Sequence, residues 1–202
     1  MLEFLVGSGL ATAAGLNAWM PLFVLGLADR FVPAVELPAG WAWLSSDVAL
    51  WIVGVLLVVE IVADKIPAVD SVNDVIQTVV RPAAGGIAFG AGSSAETVRV
   101  DDPDLLTGTA WVPIVIGVVI ALAVHAVKAA IRPAANVATV GLAAPVISTV
   151  EDVTSLGLSV LAIVVPVVAL VVIAGLVVAV VLVLRARRRN RAARGSAPPS
   201  AP

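Results

Sequence analysis

The sequence predicts an all-α polytopic membrane protein of about six membrane segments, built as two inverted three-segment repeats with interrupted or re-entrant helices. Three observations predict it. The 202-residue chain is 60% hydrophobic and only 13% charged, with a mean hydropathy of +1.09, far from the roughly 45–50% apolar and about 25% charged of an average soluble domain. Apolar stretches at 48–59, 112–124 and 160–184 are too many and too long to be hidden inside one small globule. A Pro-led polar motif also occurs twice, once in each half of the chain.

Crossing the hydrocarbon core takes roughly 20 helical residues. The first segment, 4–28, is apolar but carries Gly7, Gly9, Gly15, Asn17 and Pro21. It starts from Met1-Leu2-Glu3-Phe4, which lacks the basic region and cleavage signature of a secretory signal, so it is expected to stay as structure. The second, 47–66, is a strong span. The third, 71–91, is short and studded with Gly, Pro and polar groups. The fourth, 111–131, is again strong, the fifth, 134–151, resembles the third in character, and the sixth, 155–184, is strong. Segments one, three and five read as interrupted helices facing protein, because irregular backbone exposed to lipid would leave amides unpaired.

Six of the twelve basic residues, Arg185, Arg187, Arg188, Arg189, Arg191 and Arg194, stand in the last eighteen positions. Lys/Arg bias places this tail in the cytoplasm, and six segments then put the N-terminus there as well. A bacterial cytoplasmic membrane is the expected location. The loops at 30–46 and 92–110 fall outside, the second carrying Glu96, Asp101, Asp102 and Asp104 against Arg99, and Trp41, Trp43, Trp51 and Trp111 mark the outer boundary. The predicted organisation is a single transmembrane domain over 1–184 (repeats at about 4–91 and 111–184), an acidic extracytoplasmic loop at 92–110 and a disordered Arg-rich tail at 185–202. Without the tail, 6 basic residues face 14 acidic ones, which argues against nucleic acid as a partner. The expected partners are the bilayer, anionic lipid at the tail and further copies of the chain, since six short segments enclose little volume.

The repeat pairs Pro67-Ala-Val-Asp70-Ser71-Val-Asn73-Asp74-Val75 with Pro145-Val-Ile-Ser148-Thr149-Val-Glu151-Asp152-Val153, identical at four of nine positions. A weaker echo pairs Asn17 with His125. With three segments per half, a duplicated half enters the membrane in the opposite orientation, as in many secondary transporters.

Ionisable groups inside membrane segments cost at least about 2.5–3.5 kcal/mol each on insertion scales, so they need a reason. Glu60 and Asp64 lie i,i+4 on one helical face, next to Lys65, and Pro67 opens the helix before Asp70 and Asp74. His125, Lys128 and Arg132, spaced i, i+3, i+7, line one face of segment four. Glu151 and Asp152 complete the set. Carboxylates with hydroxyls and freed carbonyls are hard oxygen ligands suited to Mg²⁺, Mn²⁺ or Ca²⁺, and the chain has no cysteine to offer soft ligation. Glu60, Asp64, Asp70 and Asp74 are therefore candidate metal ligands, with a divalent cation as cargo. Asn17, Ser148, Glu151 and Asp152 join them as ion-binding candidates. Lys65, His125, Lys128 and Arg132 serve charge balance or proton coupling, His125 being the one side chain that ordinarily titrates near neutral pH. Two other readings stay open: buried ion pairs that fix helix register, and an anionic substrate held by Arg81, Lys128 and Arg132. Arg81-Pro82 and Arg132-Pro133 read as ending or kinking helices near an interface.

No catalytic triad, phosphate-binding G-x-x-x-x-G-K-[ST] loop or H-E-x-x-H zinc motif is present, so no enzyme is expected. Gly15-Leu-Asn17-Ala-Trp-Met-Pro21-Leu, Glu60-x-x-x-Asp64-Lys65-Ile-Pro67-x-x-Asp70, Arg81-Pro82-x-x-Gly85, His125-x-x-Lys128-x-x-x-Arg132 and Ser148-x-x-Glu151-Asp152 occur in that order. With them the chain resembles, over about 5–180, a family of small multipass membrane proteins of bacteria and plants defined as a domain of unknown function. A looser similarity is to small inverted-repeat cation exchangers with an E-x-G-D-K-[TS] motif; Glu60-Ile-Val-Ala-Asp64-Lys65 has one residue too many and lacks the Gly. The expected function is a small inner-membrane transporter or channel-like protein for a divalent cation, with proton coupling. The alternative is a non-transporting scaffold or assembly factor.

Overall fold

The computed structural model describes residues 2–94, 111–139, 143–166 and, beyond them, 171, 173–175, 177, 178, 181, 182 and 185; at 67, 68, 70, 71, 133–138 and 143 it describes the backbone only. Every regular element among them is helical: α1 (Leu2–Leu16), α2 (Trp19–Phe31), a 3₁₀ turn (Ala42–Ser45), α3 (Asp47–Ala63), α4 (Pro67–Ser94), α5 (Trp111–Ala138) and α6 (Ala143–Val164). Among the described residues two stretches are long and apolar enough to cross a membrane: Trp111–Arg132, with a mean hydropathy of 2.5, and Ala144–Val164, with 1.5.

The first expected segment is interrupted between α1 and α2 at Asn17 and Ala18, and the chain turns back there. Val6 and Leu10 lie against Gly92 at the end of α4, while α2 returns from Ala18 beside Glu60 to Arg30 beside Asp47. The start of α1 and the 30–46 loop therefore share one end of the bundle, not the opposite ends expected from the sequence. The third segment is not interrupted. α4 runs unbroken for 28 residues with Pro82 inside it, since a helix held by neighbouring helices accommodates a proline. The boundary between the fifth and sixth segments also moves. α5 continues to Ala138, and α6 covers both the end of the expected segment five and the start of six, with a break in the helix at Val165. The acidic loop lies outside the described residues from 95 to 110, as does the tail beyond Arg185.

α1 lies at the centre, packed against α4, α5 and α6, while α2 packs on α3, α6 and the 3₁₀ turn. The approach of α4 to α5 depends on glycine. A Cβ on Gly117 would stand 2.2 Å from the carbonyl oxygen of Gly85, and one on Gly85 would stand 2.3 Å from Ala121 Cβ. Backbone contact at this crossing brings the polar half of α5 against α4.

Lys65, just past the end of α3, bonds Asp152 in the first half of α6, and Arg132, towards the end of α5, lies 3.9 Å from Asp74 in the first third of α4 and 2.6 Å from Glu151 in the first half of α6. The turns led by Pro67 and Pro145 therefore sit at the same end of the bundle. That is a parallel relation between the two copies of the motif, where their sequence alignment had implied an inverted one.

Outward faces are apolar and the interior is charged. Val75 and Val79 on α4 are 73% exposed while Arg81, two residues after Val79 and so on the opposite face, is wholly buried. Trp43, Trp51 and Trp111 are exposed, whereas Trp41 packs on the core, with Gly90 beneath its ring. A surrounding hydrocarbon phase favours this distribution; water penalises it.

Candidate functional site

The site forms where the first segment breaks. Asn17 caps α2 through its own side chain, Oδ1 accepting from the amides of Trp19 and Met20 at 3.2 and 3.0 Å, as a helix-initiating Asn does. The Ala18 amide is left to donate to Glu60 Oε2 at 3.0 Å. A carboxylate thus lies at the positive end of α2, while Lys128 Nζ donates to the Leu16 carbonyl at 3.1 Å, at the negative end of α1. Both halves of the interrupted helix are matched to the charge their dipoles favour. Ser155 Oγ donates to the carbonyl of Ala13 at 2.9 Å, so side chains from three other helices bond the backbone at and just before the break.

Asp64 is the hub of the charged core. Its Oδ2 receives Lys128 Nζ at 3.1 Å, Arg81 Nη2 at 3.3 Å and Arg132 Nη2 at 3.4 Å, and its Oδ1 receives Asn73 Nδ2 at 2.7 Å. Arg81 also meets Glu60 Oε1, with Nη2 at 2.9 Å and Nε at 3.3 Å. Glu151 Oε2 bridges Arg132 Nη2 at 2.6 Å and Lys128 Nζ at 2.9 Å. Asp152 links Asn17 Nδ2 and Lys65 Nζ, each at 3.0 Å. Charges with so little access to water persist only when paired and hydrogen-bonded in this way.

His125 is positioned by Arg81, whose Nη1 lies 3.1 Å from Nδ1, and by Thr78, whose Oγ1 lies 3.2 Å from Nε2. A guanidinium has donors only, so Nδ1 must present its lone pair and Nε2 carries the proton. Thr78 Oγ1 accepts from it and donates to the Asp74 carbonyl at 2.9 Å. A neutral imidazole is the form that satisfies every partner.

The structure brings together Asn17, Glu60, Asp64, Lys65, Asp74, His125, Lys128, Arg132, Glu151 and Asp152. Ser148 is fully buried on α6 one turn before Glu151. The side chain of Asp70 lies outside the described residues. Glu60 and Asp64 do not combine with Asp74 into a ligand cage: guanidinium and ammonium groups occupy their oxygens, and no group of three or more His, Asp or Glu residues disposed to hold a metal ion occurs among the described residues. Arg81 and Arg132, expected to end or kink helices near an interface, are instead buried in the charged core, Arg81 wholly so. Thr78 escaped the sequence reading, as did the site roles of Asn73, read only as part of the repeat, and Gln77; Asn73 and Gln77 did leave a trace. Their signal was the spacing 73, 77, 81, 84, 88, one face of α4 on which small apolar residues follow the polar ones.

No curated protein and no solved structure matches the chain. A family model described as "Domain of unknown function (DUF4126)" matches residues 4–186. The match takes in the helix break and every described residue of the charged core, and the chain belongs to that family.

Proposed function

We propose that the chain is a small membrane transporter or channel-like protein for a cation, coupled to protons, with its translocation site in the charged core beside the α1/α2 break. The observation that carries this reading is the break itself, an apolar segment interrupted at Asn17 and Ala18 whose two open ends face Lys128 and Glu60. Transporter sites recur at discontinuous helices, where half-helix ends and unwound backbone meet the transported charge.

The balance of the core favours a cation. Among the described residues five carboxylates, Glu60, Asp64, Asp74, Glu151 and Asp152, meet four fixed positive groups, Lys65, Arg81, Lys128 and Arg132. Because guanidinium and ammonium donors already occupy Glu60 and Asp64, a proton or a monovalent cation suits the remaining acid better than a divalent ion. The membrane is part of the same reading: about six segments in a bacterial cytoplasmic membrane, the Arg-rich tail on its cytoplasmic side against anionic lipid, and copies of the chain associating through their apolar faces.

A scaffold whose charges only fix helix register is favoured by one observation, the fully buried Arg81–Glu60 pair. Thermal stability of the detergent-purified protein across Na⁺, K⁺, Mg²⁺, Mn²⁺, Ca²⁺ and a pH series separates the two. Transport predicts saturable stabilisation by a monovalent cation or by acid, since a ligand of the folded state raises the melting point. It also predicts loss of that response in Asp64→Asn and Asp74→Asn. No response, with both variants badly destabilised, sinks the transport reading in favour of the scaffold.

A further inference from the structure

Exposure in the charged core falls in one direction. Side-chain exposure is 35% for Lys65, 20% for Asp74, 13% for Glu151 and 12% for Asp152, then 2% for Asp64, 1% for Glu60 and 0% for Arg81. The exposed end is the one formed by the two Pro-led turns. Along this gradient three buried oxygens have no hydrogen-bond partner among the described residues: Asp74 Oδ1, Gln77 Oε1 and Ser148 Oγ. Gln77 is 4% exposed and Ser148 0%.

Their places are linked. Gln77 stands one turn after Asn73 and one turn before Arg81, both donors to Asp64. Ser148 stands one turn before Glu151, which bonds Arg132 and Lys128, and Arg132 Nη1 reaches towards Asp74 Oδ1 at 3.9 Å. Further along α6, Ser155 and Ser159 are equally buried but donate to backbone carbonyls at 2.9 and 2.7 Å. The unpartnered oxygens of the charged core thus lie at the end where exposure rises; the other buried one, Ser8 Oγ, stands apart from the core on α1. Buried acceptors that the chain itself does not satisfy are costly unless water or an ion takes the role.

We infer that an aqueous vestibule enters the charged core between α4, α5 and α6 from the end formed by the two Pro-led turns, with Asp74, Gln77 and Ser148 as its acceptors for water and a small monovalent cation on the way to Asp64. It deepens the transport reading and rests on it for its purpose, by naming the side and the residues of entry.

The chain has no cysteine, so single cysteines can be introduced without background. Ser148→Cys, Gln77→Cys and, as the control, Ser159→Cys are exposed in membranes to water-soluble methanethiosulfonates bearing either a trimethylammonium or a sulfonate group. The vestibule predicts labelling of the first two variants and not of the third, with the cationic reagent the faster, since three carboxylates, Asp74, Glu151 and Asp152, stand at this end against Lys65 and Arg132. Two positions are used so that misfolding of one leaves the other informative. Absence of labelling at both, with Lys65→Cys labelled, overturns the inference, as does equal labelling of Ser159→Cys. Labelling needs no flux, so a labelled vestibule in a protein that moves no ion would sink the transport reading alone.

Discussion

Arg81 and Glu60 meet at 2.9 Å with neither side chain reaching solvent, and the same guanidinium touches Asp64 and His125. One arginine therefore joins α3, α4 and α5. Removing it leaves two carboxylates facing an apolar interior, and breaking a buried pair from one side costs about 3–5 kcal/mol. Arg81→Met is expected to lower the melting temperature sharply, and the double variant Arg81→Met with Glu60→Leu to recover part of the loss. A thermal melt of the three proteins checks it, and a double variant less stable than Arg81→Met contradicts the pairing.

Asn17 both caps α2 and holds Asp152. Asn17→Ala loses the cap, worth about 1 kcal/mol, and leaves Asp152 without its amide donor. Asn17→Asp keeps a good capping group but sets a second carboxylate against Asp152. The aspartate variant is expected to be no more stable than the alanine one, against the usual ranking of caps; a clear rescue by aspartate in the same melts refutes the Asn17–Asp152 bond.

The crossing of α4 and α5 tolerates no side chain at Gly117, where a Cβ would meet the Gly85 carbonyl at 2.2 Å, whereas nothing lies within 4 Å of a Cβ on Gly157. Gly117→Ala is expected to reduce the yield of monodisperse protein severely. Gly157→Ala, inside α6, is expected to be neutral or to stabilise by up to about 1 kcal/mol, since alanine is the better helix former. Size-exclusion profiles and melts of the pair decide it.

His125 is the single histidine of the chain, so ¹⁵N-histidine labelling reports on it alone. With Arg81 donating to Nδ1, the spectrum at neutral pH is expected to show Nε2 protonated and Nδ1 bare. A protonated Nδ1 contradicts the geometry.

Much of the site was legible because polar groups inside apolar runs are conspicuous. Asn17 between Gly15 and Pro21 marked the helix break, and the i,i+4 and i,i+3 spacings of Glu60, Asp64, His125, Lys128 and Arg132 marked the faces that meet. Arg81 was misplaced because Arg-Pro reads locally as a terminator. Only packing against α3 and α5 shows that α4 continues through Pro82 and carries the arginine inward. The same limit applies to the Pro-led repeat. Its alignment implies an inversion, but which end each copy occupies is fixed by the long-range pairs Lys65–Asp152 and Arg132–Asp74, which no local pattern encodes. Carboxylate spacing likewise showed four candidate oxygen ligands but not the cations that occupy Glu60 and Asp64, which come from helices distant in sequence.

Ion flux into liposomes tests the central claim most directly. Purified protein is reconstituted with a trapped pH-sensitive dye, and a potassium or sodium gradient is imposed. The account predicts acidification or alkalinisation faster than in protein-free vesicles, reduced to that background by Asp64→Asn and by Glu60→Gln in protein that still elutes as a single folded species. A wild-type rate equal to that of protein-free vesicles, or one unchanged in both variants, would contradict it.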